Sequence, residues 1–219
     1  MLAYLGIDVG SVTTKFAALD EDDELLGSLY VPTQGKPIEM VQLGLKQINA
    51  QLPPDMAAGK FSLVVRSLSL NVATAAVSVT TSKVAPAVYT LDTGYAAVYH
   101  QDGTPVDHSN PASRDEPLVM YASGLGATTG GKVVTGMPSP SDPLAVTAAV
   151  QVYFGDPRMS QSQVIVDWSG LAPGMVGLYQ LKLRIPGTHT KGDPLPVMIR
   201  IGGTDSPTTG PAVPTIAVN

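Results

Sequence analysis

The 219-residue chain carries a formal net charge of −5, with 44% apolar residues and 14% charged ones, against a typical charged share of about 25%. It has no cysteine, which excludes disulfides, thiolate nucleophiles, iron–sulfur clusters and zinc sites built on thiolates. The charge is uneven: residues 1–58 hold three lysines and eight acids, whereas the remainder balances ten basic against ten acidic residues. Neither part offers the basic stripe that phosphate-backbone binding needs, so no nucleic-acid partner is expected. No run of 18 apolar residues occurs, so no membrane span is expected. The opening MLAYLGIDVG lacks a positive n-region and carries Asp8, so no signal peptide is read and the sequence as written reads as cytoplasmic.

In chain order, residues 2–9, 12–19 and 25–31 read as three strands, separated by a Gly turn and by the charged turn at residues 20–24. Pro37 then sits where the first turn of a helix tolerates proline. Ile38, Val41, Leu45, Ile48 and Leu52 recur at helical spacing until Pro53-Pro54 ends the pattern. The expectation is β-β-β-α over residues 1–56. The chemistry of this part lies in GIDVGSVTTK. A tight Gly turn between two strands can aim backbone N–H groups at phosphate oxygens, Asp8 can hold a hydrated Mg²⁺, and Lys15 can neutralise phosphate. On the residues alone, a plain β-turn with a solvated Asp8 is the stronger reading.

Residues 3–52, with LGIDVGSVTTKFAALD followed by YVPTQGKPIEMVQLGLKQI, resemble the N-terminus of the 2-hydroxyacyl-CoA dehydratase activators. That family includes the benzoyl-CoA reductase ATPase subunits and belongs to the actin/sugar-kinase/Hsp70-like ATPases. The resemblance implies a ribonuclease-H-like fragment in which Asp8, Gly10, Ser11 and Lys15 form the first phosphate loop, with Mg-ATP as ligand. Family members pass an electron from a cysteine-held cluster, and that role fails in a cysteine-free chain. A second phosphate loop is needed to stabilise the transferred charge. RIGGTDS at residues 200–206 mimics it in outline and reads better as a β-turn. The expectation is an incomplete ATPase fragment without a cofactor.

From residue 60 the texture changes. Ten strands are expected, at residues 61–65, 76–79, 88–91, 96–100, 118–121, 145–154, 163–167, 178–185, 197–201 and 215–218, with Gly, Pro, Asn, Asp and Ser between them. In residues 179–185 the apolar set Tyr179, Leu181, Leu183 and Ile185 alternates with Gln180, Lys182 and Arg184, the signature of a half-buried antiparallel strand. Gln101-Asp-Gly-Thr is a hairpin signal. The whole reads as an Ig-like antiparallel β-sandwich or partly closed barrel over residues 60–219, with a core of Val, Leu, Ile and Ala. Trp168 is expected to pack across a sheet end.

The motifs APAVYTL, AAVYHQDGTPVD, SNPA, VMYASGLG, APGMVGLYQL and PVMIRIGG keep this order along residues 85–203. On these motifs, residues 60–219 resemble the uncharacterised C-terminal β domain of large acidobacterial proteins of the Solibacter type. The resemblance implies a module of secreted-looking multidomain proteins, and it carries no activity across.

Catalytic readings of this part are weak. His100, His108 and His189 lack the spacing that points two rings at one metal, and read as solvated or locally hydrogen-bonded. Ser123, His108 and Asp107 compose a triad on paper, but YASGLG lacks the G-x-S-x-G elbow. The stretch GLGATTGG at residues 124–131 lacks the Lys-Ser/Thr ending of a P-loop and reads as a loop needing positive φ. The expectation is a non-enzymatic structural or interaction module with a protein or surface partner. A nucleotide-binding or degenerate ATPase is the alternative, and a carbohydrate-binding module centred on Trp168 is a third, weaker reading.

Overall fold

The computed structural model describes the strand backbone of residues 4–9, 13–19 and 25–32, together with residues 56–64, 66–67, 72–73, 75–209 and 213–219. The protein is mainly β and its strand ladders are antiparallel; among the described residues there is no α-helix. Two compact units divide at Ser82 and Lys83.

The first unit, Met1–Ser82, contains β1 (Tyr4–Val9), β2 (Thr13–Leu19) and β3 (Leu25–Pro32), an antiparallel meander in the order β1-β2-β3. It also contains β4 (Gly59–Leu63), β5 (Arg66–Ser67), β6 (Val72–Ala73) and β7 (Val77–Thr81). β4 pairs with β7, and β5 with β6 between them in sequence. The division therefore falls later in the chain than the change in composition near residue 60. The helix expected at residues 38–52 lies outside the described residues.

The second unit, Lys83–Asn219, is one curled sheet. Its strands are β8 (Ala87–Val88), β9 (Val98–Tyr99), β10 (Pro117–Ser123), β11 (Thr128–Gly130), β12 (Ala145–Thr147), β13 (Val150–Phe154), β14 (Gln163–Leu171), β15 (Tyr179–Arg184), β16 (Gly192–Ile201), β17 (Thr204–Asp205) and β18 (Thr215–Val218). The main path runs β17-β16-β13-β14-β15-β10-β8. Beyond it, β18 pairs with β16, and β9 with β10. Single parallel bridges then join Tyr95 to Thr215 and Ala112 to Val218. The ladder thus returns from β10 through the segment before β9 to β18 and back to β16. Single bridges close it where full ladders do not, giving a partly closed barrel.

Alternation builds the wall. On β15, Leu181 and Leu183 are fully buried and Lys182 and Arg184 exposed; on β10, Leu118, Met120 and Ala122 point inward. They meet Val152 and Phe154 of β13, Val197, Ile199 and Ile201 of β16, and Ile216 of β18 in one aliphatic core. Each large side chain removed from water contributes roughly 1.5–3 kcal/mol.

The stretch at residues 145–154 is not one strand. β12 and β13 keep one register along β14, Val146 opposite Gly170 and Val152 opposite Val164. The ladder breaks between them at exposed Ala148 and Ala149. There β14 itself shifts register against β15 between Val166 and Trp168. A bulge twists the strand that carries it, and the neighbour loses contact with it. Two turns formed as their sequences demand. His100 N donates to Thr104 O around Gly103, and Gly202-Gly203 joins β16 to β17 with both φ values positive, 56° and 78°.

Candidate interaction surface

The three histidines sit in three different settings. The His100 ring lies between Glu116 Oε1, 2.5 Å from Nδ1, and the Asn110 carbonyl, 3.2 Å from Nε2. His108 is solvent-exposed, and its Nδ1 is 2.5 Å from Asp193 Oδ2. The Tyr95 hydroxyl donates to the other Asp193 oxygen at 2.8 Å. The hydrogen bond to His108, then that to Tyr95, holds the Asp193 carboxyl below the ordinary carboxylate value. The same contact with Asp193 raises the Tyr95 phenol. His189 is locally hydrogen-bonded rather than solvated: it is fully buried, edge-on to Phe154 at 6.1 Å, with Nδ1–H donating to Thr190 O at 2.6 Å. Its Nε2 has no hydrogen-bond partner among the described residues.

The paper triad is not assembled from these contacts. His108 turns to Asp193, while Asp107 Oδ1 accepts from Ser109 N (2.8 Å), Ser109 Oγ (2.7 Å) and Asn110 N (3.0 Å). Those bonds keep the Asp107 carboxyl low and spend it on shaping its own turn. Among the described residues no group of three or more His, Asp or Glu is placed to hold a metal ion.

Of the phosphate-hairpin residues, Asp8 and Lys15 occupy directly opposed positions on β1 and β2. Gly10 and Ser11 lie outside the described residues. The RIGGTDS stretch is a hairpin in which the Arg200 guanidinium clasps Asp205 (2.5 and 2.8 Å) and Ile199 N donates to Ser206 Oγ. In the Gly124–Gly131 stretch the glycines serve close backbone packing. A Cβ on Gly124, where φ is +71°, would stand 1.9 Å from Ala85 O, and Tyr179 Oη donates to Gly126 O at 2.5 Å.

Trp168 is half-buried on the outer face, opposite Lys182. Its ring lies over Gly170, and Lys182 Nζ stands 5.9 Å from the ring centroid. It packs along β14 rather than across a sheet end.

A different feature stands out from the surface. The loop joining β11 to β12 leaves Val134 (48%) and Met137 (57%) in solvent, and the loop joining β14 to β15 leaves Met175 (52%) and Val176 (45%) there. Backbone hydrogen bonds tie the two loops: Ser139 N donates to Met175 O at 2.8 Å and Gly174 N to Ser139 O at 2.9 Å. Met137 N donates to Val134 O, which closes a turn that puts both side chains on the first loop. Ser139 is buried between the loops, its hydroxyl without a partner among the described residues. Four large apolar side chains on two joined loops make an adaptable contact surface, since methionine reshapes to fit what covers it. The sequence does hold a signal for it in GMPSP and PGMVG. Gly and Pro around Met137 and Met175 favour turns over strand pairing. Comparison of the chain with protein-family models, characterised proteins and solved structures gives no match in any of the three.

Proposed function

We propose that the second unit is a non-enzymatic β module that binds a protein partner through the joined loops carrying Val134, Met137, Met175 and Val176. The observation that carries this reading is that these side chains stay in solvent although the sheet beside them buries a continuous core. The polar clusters around Asp107, Asp193 and Glu116 support it from the other side, because their carboxylates are engaged in holding turns and loops. A photo-reactive residue at position 175 is expected to give discrete cross-linked adducts that Met137→Glu abolishes. The same probe at exposed Thr93 should give none. Equal cross-linking from both positions would end the proposal.

The opposed positions of Asp8 and Lys15 on an antiparallel hairpin support a second reading, in which the first unit binds Mg-ATP through Asp8, Gly10, Ser11 and Lys15. Calorimetry with Mg-ATP at millimolar concentration tests it. Heat that vanishes in Asp8→Ala supports nucleotide binding, and a flat titration removes it.

A further inference from the structure

Residues 100–116, between β9 and β10, form a long excursion that folds down onto the core. Val106 and Ala112 are fully buried. Val106 N donates to Val98 O at 2.9 Å, and Ala112 N to Ala217 O at 3.0 Å, while the Ala112 carbonyl accepts from Asn219 N. The excursion therefore covers β18 at the place where the curled sheet closes by single bridges.

One ring ties this excursion together. The His100 side chain is 11% exposed and that of Glu116 is 23% exposed. Both ring nitrogens face acceptors with no hydrogen to give: the Glu116 carboxylate at Nδ1 and the Asn110 carbonyl at Nε2. Only the doubly protonated imidazolium makes both bonds at once. The second Glu116 oxygen accepts from Ser113 N at 2.8 Å, so the start, middle and end of the excursion meet at one charge. The charged groups facing the ring are Glu116 and, from the adjoining turn, Asp102.

We propose that the 100–116 excursion is a proton-operated clasp, closed while the His100 ring donates to both Glu116 and Asn110 and loosened when that ring gives up a proton. A neutral ring donates to only one of the two, so it loses either the charge-assisted bond to Glu116 or the bond to the Asn110 carbonyl, while Ser113 N still donates to Glu116 and Asp107 N to Asn110 O. Loosening frees Ala112 from β18 and uncovers the closing edge of the sheet. Burial opposes the charge on His100. The Glu116 hydrogen bond, the Asn110 carbonyl and the fields of Glu116 and Asp102 outweigh it and raise the ring above its ordinary 6.5. With the folded value raised, the clasp is fully closed below the unfolded value of about 6.5 and is lost as pH rises through the higher folded value.

Amide hydrogen exchange on the full chain, corrected for intrinsic rates, tests this at Val106 and Ala112. Their opening constant is expected to rise with pH above neutrality, by up to about tenfold per pH unit for one released proton. In His100→Gln the corrected rates should be flat over the same range. A ring titration of His100 by NMR needs no variant and should place its midpoint above 6.5 in the native chain and lower in Glu116→Gln. A pH-independent opening constant in the native chain, or a native midpoint at or below 6.5, would overturn the clasp.

Discussion

Two loop regions of the same sheet treat their apolar residues in opposite ways. The 100–116 excursion carries Asp102, Asp107 and Glu116, each accepting hydrogen bonds from nearby backbone or hydroxyl groups, and buries Val106 and Ala112 beneath them. The loops joining β11 to β12 and β14 to β15 are tied to each other by backbone hydrogen bonds, and their Val134, Met137, Met175 and Val176 remain in water. The difference teaches where function is to be sought. Side-chain acceptors close turns on themselves and fold a loop onto the core, whereas Gly/Pro-shaped loops joined through their backbones can hold apolar groups out for something else to cover.

That contrast can be broken at several strengths. As a reference for the sheet wall, Phe154→Ala empties a fully buried site and should cost about 3–5 kcal/mol in denaturant unfolding. Gly124→Ala forces a Cβ to within 1.9 Å of Ala85 O at positive φ, and should cost more than about 2 kcal/mol. Val106→Ala tests whether the excursion belongs to the core. A loss near 2 kcal/mol is expected, from two methyl groups and the cavity they leave. Met137→Ala and Met175→Ala, on the open loops, should stay within about 0.5 kcal/mol of the parent. If Val106→Ala proved as harmless as they are, the two regions would not differ. The smallest effect concerns acid. The Asp107 carboxyl is held low, mainly by its bond from Ser109 Oγ, so its stabilisation is present above the ordinary 3.8 and is lost as pH falls through the lower folded value. Asp107→Asn should therefore lower stability slightly at neutral pH, leave it unchanged at the acid end, and so flatten the acid limb of the stability profile.

The wall of the barrel was legible because it obeys period two. Leu181, Leu183 and Ile185 alternate with polar residues, and the Asp-Gly and Gly-Gly turns announce their hairpins. The break at Ala148 and Ala149 was not, because no Gly or Pro marks it and its cause lies on the neighbouring strand at Val166 and Trp168. The burial of His189 was not legible for a similar reason. A histidine in a Gly-Thr-rich loop reads as wet, and only the fold sets Phe154 against its ring. The curl of the sheet through Tyr95–Thr215 and Ala112–Val218 depends on two isolated bridges that no periodicity encodes. The loop surface was within reach of the sequence, since Met137 and Met175 are fenced by glycine and proline, but strand-seeking periodicity passes over such residues.

Residue-by-residue peroxide oxidation of the methionines, read by mass spectrometry on the purified chain, puts the open-loop surface to the most direct test. Sulfoxide forms at sulfur that solvent reaches. Met137 and Met175 should be oxidised well before Met120 and Met198, which are 0% and 2% exposed. If Met137 and Met175 were as slow as those two, the loops would already be covered and the binding surface would not exist.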